Sequence, residues 1–367
     1  MIPTPELDDR FSALVAQDPY RRSEFLLSQF LSACPHSVLE IEGRQYTVVG
    51  TRRIHPDTVH ATDFVLRLDT QEGRVLFAKA DVSEDFVYFP STGEMTHVYG
   101  CRSRREHAMQ TLQKRLALPY TPSTTIGEGR NIWFVSEEAP GPTVGEQAVL
   151  PLIESDITPY CRGLGRTLAF SYLFGLSDGH NRNSHYDGET FTQRDLETPF
   201  SDLMPIQRSL FAIARDGLFP VRLYADEQTY FFHLEDGASD SAWKKIIAQS
   251  LEDHLWPFAQ PQANDIRVAI GEGFTTCYTA VQDDFAFFSR FVRSALNSWS
   301  FGEDPVMFLD MPETGLFRPT LSFFLEYVRL FSPRVLSVSN PWRIFHEIWY
   351  QASPHRVEAV RKSVLES

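Results

Sequence analysis

Several features that would settle the class of this sequence at once are missing from it. Four cysteines, Cys34, Cys101, Cys161 and Cys277, are scattered through 367 residues with no CxxC pair and no clustering with histidine. Such spacing argues against a zinc site or a disulfide frame, and for buried free thiols. No apolar run approaches the roughly 20 residues of a membrane helix. The opening Met-Ile-Pro-Thr-Pro-Glu-Leu-Asp-Asp has no basic start and no apolar stretch, so no secretory signal is expected. A cytoplasmic protein follows, with export by a signal-less route left open. There is no P-loop string of spaced glycines followed by Lys and Ser or Thr. Internal repeats and low-complexity tails are absent too. Positive charge is scarce: 34 Lys and Arg face 48 Asp and Glu, for a formal charge of −14. A surface of that sign repels phosphate backbones, so nucleic acid is not an expected partner, while a basic peptide or protein would suit it.

What is present is enough apolar chain for a large core, as one two-lobed unit or as two domains. The 29 Phe and 13 Tyr point to aromatic-rich packing. Apolar positions at helical spacing run from 5 to 34 and stop at Pro35. From 38 to 80 the texture turns to short β-branched and aromatic runs at Val38–Ile41, Tyr46–Val49, Asp63–Leu68 and Arg74–Lys79, the last two joined by a hairpin-like turn over 69–73. A helix is expected at about 103–116, then strands at Ser123–Ile126 and Ile132–Ser136. The segment 137–142, with its Pro-Gly-Pro, looks like a linker. Beyond it the chain turns mainly helical. The expectation is an α+β, two-lobed arrangement: an N-terminal helical segment (1–37), a small β-rich lobe with one main helix (38–140), and a larger, mostly helical lobe (141–367).

One polar stretch breaks the second half. The apolar helix expected over 159–176 ends abruptly at Ser177-Asp178-Gly179-His180-Asn181-Arg182-Asn183, and a short hairpin turning at 187–189 leads to Arg194-Asp195. Phosphoryl transfer needs a carboxylate near the attacking hydroxyl, and an amide plus a carboxylate to hold Mg²⁺ against the phosphates of ATP. Asp178 has the chemistry to orient or deprotonate a hydroxyl. Asn183 and Asp195 carry oxygens suited to a hard cation, and His180 is placed to position the loop or touch phosphate. Asp, Gly, His and Asn are also ordinary turn residues, so Asp-x-His-x-x-Asn by itself is a weak pattern. Elsewhere, Gly127-Glu-Gly129 and Gly271-Glu-Gly273 read as turns rather than phosphate cradles. The acids around Gly237 lack calcium-loop spacing, and Phe285, Phe287, Phe288, Phe291 and Trp299 read as packing surface.

The stretch 160–202 resembles the dehydratase domain of class II lanthionine synthetases (the LanM type), whose fold is similar to that of lipid kinases. The residues that carry the likeness are Gly165-Arg-Thr-Leu-Ala-Phe-Ser-Tyr-Leu-Phe-Gly-Leu-Ser-Asp-Gly-His-Asn-Arg-Asn and Asp195-Leu-Glu-Thr-Pro-Phe. Weaker likenesses follow in order at 209–220, at Gly273-Phe274 with Tyr278, and at Phe317-Arg318-Pro319-Thr320. Upstream they include Asp57-Thr-Val-His60 and Arg74-Val-Leu-Phe-Ala-Lys79. The resemblance implies ATP and Mg²⁺ as cofactors, with Asp178 and His180 in the catalytic loop and Asn183 and Asp195 on the metal. It also implies Lys79 on the phosphates, with Glu106 as its acidic partner, and His60 in a phosphate loop. Arg318 and Thr320 match the region that eliminates phosphate after transfer, but Thr314 stands where the family tends to carry another Arg. Elimination needs cations for the leaving anion. The expected activity is therefore phosphorylation of Ser or Thr hydroxyls in a peptide or protein. Alternatives are full dehydration, nucleotidyl transfer, or a non-catalytic kinase-like module. No cysteine follows 320, so the zinc-dependent cyclase that accompanies such domains is not expected in these residues.

Overall fold

The computed structural model describes residues 27–34, 36–53, 65–80, 84–89, 94–99, 101–128, 131–176, 179–196, 240–299, 331, 334–336 and 340–366. They form a mixed α+β structure with two separate hydrophobic cores.

The first core is built on a six-stranded antiparallel sheet of order β1-β2-β3-β4-β8-β7. Its strands are β1 (Val38–Ile41), β2 (Arg44–Arg53), β3 (Val65–Thr70), β4 (Val75–Ala80), β7 (Ser123–Glu128) and β8 (Asn131–Glu137). Glu42 and Gly43 both take positive φ, 50° and 78°, which gives the tight mirror-image turn that matches strand twist and sets Ile41 opposite Arg44. β3 and β4 alternate strictly. Leu66 and Leu68, with Leu76 and Ala78, point into the core, while Phe77 and Lys79 lie on the other face. The helix over 27–33 (α1) closes the core, with Phe30 meeting the Trp133 ring edge-on at 5.4 Å. The Asn131 amide ties the helix down by donating to the Gln29 carbonyl at 2.9 Å.

The second core is helical. Its axis is α4 (Ile157–Phe174), capped by Asp156, whose carboxylate accepts from the Thr158 N–H, and ended by Gly175 at φ 63°. Around it lie α3 (Leu150–Ser155), α5 (Asp240–Leu255), α6 (Asn264–Asp283), α7 (Phe285–Trp299), α8 (Pro341–Gln351) and α9 (Pro354–Glu366). α4 and α6 cross at reciprocal glycines. A Cβ on Gly165 would run into the Ile270 carbonyl, and one on Gly273 into that of Arg162. α2 (Cys101–Arg115) follows the sheet strands in sequence but gives Met109 and Leu112, with Leu116 just past its end, to this helical core. Its far end is held by Arg115, which pairs with Asp284 and lies over the Phe287 ring.

Most elements expected within the described residues are found, with ends that shift by at most four residues and β1 as expected. β3 runs to Thr70, so the hairpin turn lies over 71–74 instead of 69–73, closed by the Thr70 hydroxyl donating to the Arg74 carbonyl at 2.8 Å. Two strands were not expected: β5 (Glu84–Phe89) and β6 (Glu94–Tyr99) form a separate antiparallel hairpin. Gly271 and Gly273 are not a turn but the interior of α6, where missing side chains allow close packing against Trp342 and α4. Of the thiols, Cys34, Cys161 and Cys277 are buried and free.

Candidate functional site

The site is assembled from one strand, one helix and one hairpin. β9 (Ser184–Tyr186) and β10 (Phe191–Gln193) pair with Ser184 opposite Gln193. The pairing runs one step further, because the Arg194 N–H donates to the Asn183 carbonyl at 2.8 Å. Register alone therefore brings Asn183 and the Arg194-Asp195 pair to the same open end of the hairpin.

Hydrogen bonds hold the loop that precedes β9. His180 caps the turn over Asn181–Asn183, its Nδ1 accepting from the Arg182 N–H at 3.2 Å. The Ser250 hydroxyl of α5 donates to the Gly179 carbonyl. One turn along that helix, His254 places Nδ1 2.7 Å from the Ser250 carbonyl and Nε2 2.9 Å from the Ser184 hydroxyl. A carbonyl only accepts, so this network assigns the proton to Nδ1 and makes Nε2 the acceptor for Ser184. Burial lowers the His254 pKa to about 4, against a smaller opposing effect of the Ser250 carbonyl, and keeps the ring neutral as that pattern requires. From the other side, the Val144 N–H reaches the Ser184 carbonyl at 2.7 Å and the Gly145 N–H that of Asn181 at 3.1 Å. Gly141, at φ 78°, is where this linker approaches the Tyr186 carbonyl too closely for any Cβ.

Lys79 arrives from β4. Being on the face turned away from the sheet core, its amine reaches Asp195, with Nζ 2.8 Å from Oδ1, across 116 residues of sequence. Asp195 adopts φ 58°, the left-handed region, a conformation that costs a non-glycine residue about 1 kcal/mol or more and concentrates at functional sites. Glu106 of α2 lies beside them, only 7% exposed, its carboxylate accepting from the Leu196 N–H. Burial, and then the charge of Asp195, push its pKa up to about 7, with Lys79 and Arg194 opposing the rise.

Of the residues singled out from the sequence, Lys79, Glu106 and Asp195 thus converge, and Asn183 and His180 belong to the loop beside them. His60, Asp178, Arg318, Thr320 and Thr314 lie outside the described residues. Glu106, expected as the partner of Lys79, shares the site, and the amine sits on Asp195. Sequence reasoning missed Ser250 and His254, which brace the loop, and it missed Arg194. Its guanidinium donates to the Ser136 hydroxyl at 3.0 Å and lies 5.5 Å from the Phe77 ring centroid. No sequence signal marks it, since an arginine at a strand end is an ordinary surface residue.

Among the described residues no three His, Cys, Asp or Glu side chains converge into a metal cage. Mg²⁺ is commonly held by one or two protein oxygens together with substrate phosphates and water, and the amide of Asn183 and the carboxylate of Asp195 are hard donors of that kind. The donor set fits. No family model matches the chain, and no curated protein or solved structure matches it, so the family likeness rests on the residues quoted above alone.

Proposed function

We propose that the protein is a cytoplasmic ATP-dependent phosphotransferase acting on Ser or Thr hydroxyls of a peptide or protein, with a two-lobed kinase-like fold. In that reading the sheet with α2 forms the nucleotide-binding side, and the helical body carries the catalytic loop. The observation that carries it is the Lys79–Asp195 ion pair, formed between a sheet strand and the segment after a short hairpin, with Glu106 buried at its side. A lysine, a buried acid from a neighbouring helix and a metal-binding aspartate are the fixed parts of protein-kinase phosphoryl transfer.

The chemistry would divide as follows. Asp178 accepts the hydroxyl proton as the acceptor oxygen bonds to the γ-phosphorus and the bond to ADP breaks. Lys79 would contact the phosphates and hold them in line. Asn183 and Asp195 would hold Mg²⁺, which offsets phosphate charge when bound. His180 keeps the loop in shape through its cap on Arg182. The formal charge of −14 favours a basic acceptor segment. Arg318 and Thr320 would stabilise the departing phosphate if elimination follows transfer.

The test begins with calorimetric titration of Mg-ATP into the protein. A basic Ser/Thr peptide pool is then incubated with γ-labelled ATP and read by mass spectrometry. A phosphate adduct is expected with the wild type, falling by roughly a thousandfold in Asp178→Ala and Asp195→Asn. Loss of water from the peptide would extend the reading to dehydration. Wild-type protein that binds no Mg-ATP would overturn the assignment.

A further inference from the structure

We infer that Arg194 is a positioning residue that sets the carboxylate of Asp195 against the sheet, coupling the catalytic loop to the strand that bears Lys79. In extended chain, consecutive side chains point to opposite sides. Arg194 and Asp195 nonetheless both reach the face of the sheet that carries Phe77 and Lys79. The left-handed backbone at Asp195, φ 58°, supplies the rotation that turns the second side chain back.

The anchors of Arg194 make a three-point seat. Its backbone N–H holds the Asn183 carbonyl, its Nη2 holds Ser136 Oγ, and its planar head lies over Phe77. Ser136 and Phe77 are direct cross-strand partners on β8 and β4, and Lys79 stands two residues beyond Phe77 on the same face. The seat of Arg194 and the grip of Asp195 on Lys79 are therefore two adjacent fastenings between the same two pieces of chain. A guanidinium suits the first because it bonds in its plane and stacks on an aromatic ring at once. It also stands among Asp195, Glu106 and Glu138, whose charges it offsets. Among the described residues its contacts are the Asn183 carbonyl, the Ser136 hydroxyl and the Phe77 ring, so its effect on the site passes through Asp195.

The effect on Mg²⁺-dependent ATP binding rests on the phosphotransfer reading; the coupling does not, and the two are separable. Arg194→Met is made alone and with Lys79→Met, and folding equilibria are measured by urea unfolding. If Arg194 positions Asp195 for Lys79, the Arg194 substitution lowers the folding constant about fivefold less in the Lys79→Met background than in the wild type. Simple repulsion between the two cations gives the opposite sign, and an equal or larger loss overturns the proposal. Ser136→Ala with Phe77→Leu removes the seat and keeps the charge, so it decides the question in the same way should Arg194→Met not fold. In calorimetry, Arg194→Met is expected to raise the Mg²⁺ concentration for half-maximal ATP binding about tenfold. An unchanged Mg²⁺ requirement, in protein that binds ATP, also overturns it. Wild-type protein that binds no Mg-ATP removes the proposed function, while the unfolding cycle still decides the role of Arg194.

Discussion

The sheet and the helical body place their functional side chains by different means. On β4 the alternation of the strand alone puts Leu76 and Ala78 inward and Lys79 outward, and each side chain needs only its place in the ladder. The 179–196 segment has short strands joined by irregular chain, so it is held by side-chain bonds to distant elements: Ser250 on Gly179, His254 on Ser184, Arg194 on Ser136. Regular structure fixes a residue through many equivalent backbone bonds. A loop depends on a few unequal ones, buried or half-buried, and each is costly to lose.

The largest test of that contrast is at the glycines. Gly165→Val drives a side chain into the Ile270 backbone, which cannot give way, and is expected to destabilise the protein by about 4 kcal/mol or to unfold it. Gly50→Val in β2 meets only the Asp69 side chain at ordinary contact distance, 3.5 Å, and is expected to cost about 1 kcal/mol or less. Chemical denaturation of both variants checks the pair. Equal midpoints would break the comparison.

A second test uses acid. The His254 pKa falls from 6.5 to about 4 on folding, so the folded protein resists a proton that the unfolded chain takes up. The resulting stability is complete above pH 6.5 and is lost as pH falls toward 4, by about 3 kcal/mol in all. Melting curves between pH 7.5 and 4.5 should fall more steeply for the wild type than for His254→Gln. Parallel curves would show that this ring does not hold the loop by staying neutral.

Glu106 is expected to show a smaller effect of opposite sign. Its pKa rises from 4.5 to about 7 on folding, so its contribution is full below pH 4.5 and is lost as pH climbs through 7. Glu106→Gln should therefore gain about 1–2 kcal/mol relative to the wild type on going from pH 5 to pH 8, part of the shift being shared with Asp195. Urea midpoints at the two pH values measure it. A gain that shrinks in the Asp195→Asn background would show that the two carboxylates act on one another, the remainder being the effect of burial.

How much could be read beforehand depended on whether the signal was local. β1, β4, α2 and α4 announce themselves through local runs of residue type, and all four lie within a few residues of where the pattern puts them. β5 and β6 gave no such signal because their charged and polar residues interrupt any clean alternation. Lys79, Glu106 and Asp195 were legible as candidates by residue type and order. That Asp195, rather than Glu106 alone, meets the lysine was not, nor was any part for Arg194, His254 or Ser250. Those three act through partners between 58 and 71 residues away.

By itself the sequence determined the acidic balance, the α+β order of elements, the break at 177–183 and the chemistry available there. Composition and short-range periodicity are properties of neighbouring residues, and no folding is needed to state them. Only the tertiary structure decided that α2 gives its apolar face to the helical core, that two glycines let α4 and α6 touch, and that the strand lysine and the hairpin aspartate form one ion pair. Each of these joins segments far apart in the chain, where packing, desolvation and register choose among many pairings that the sequence alone leaves equal.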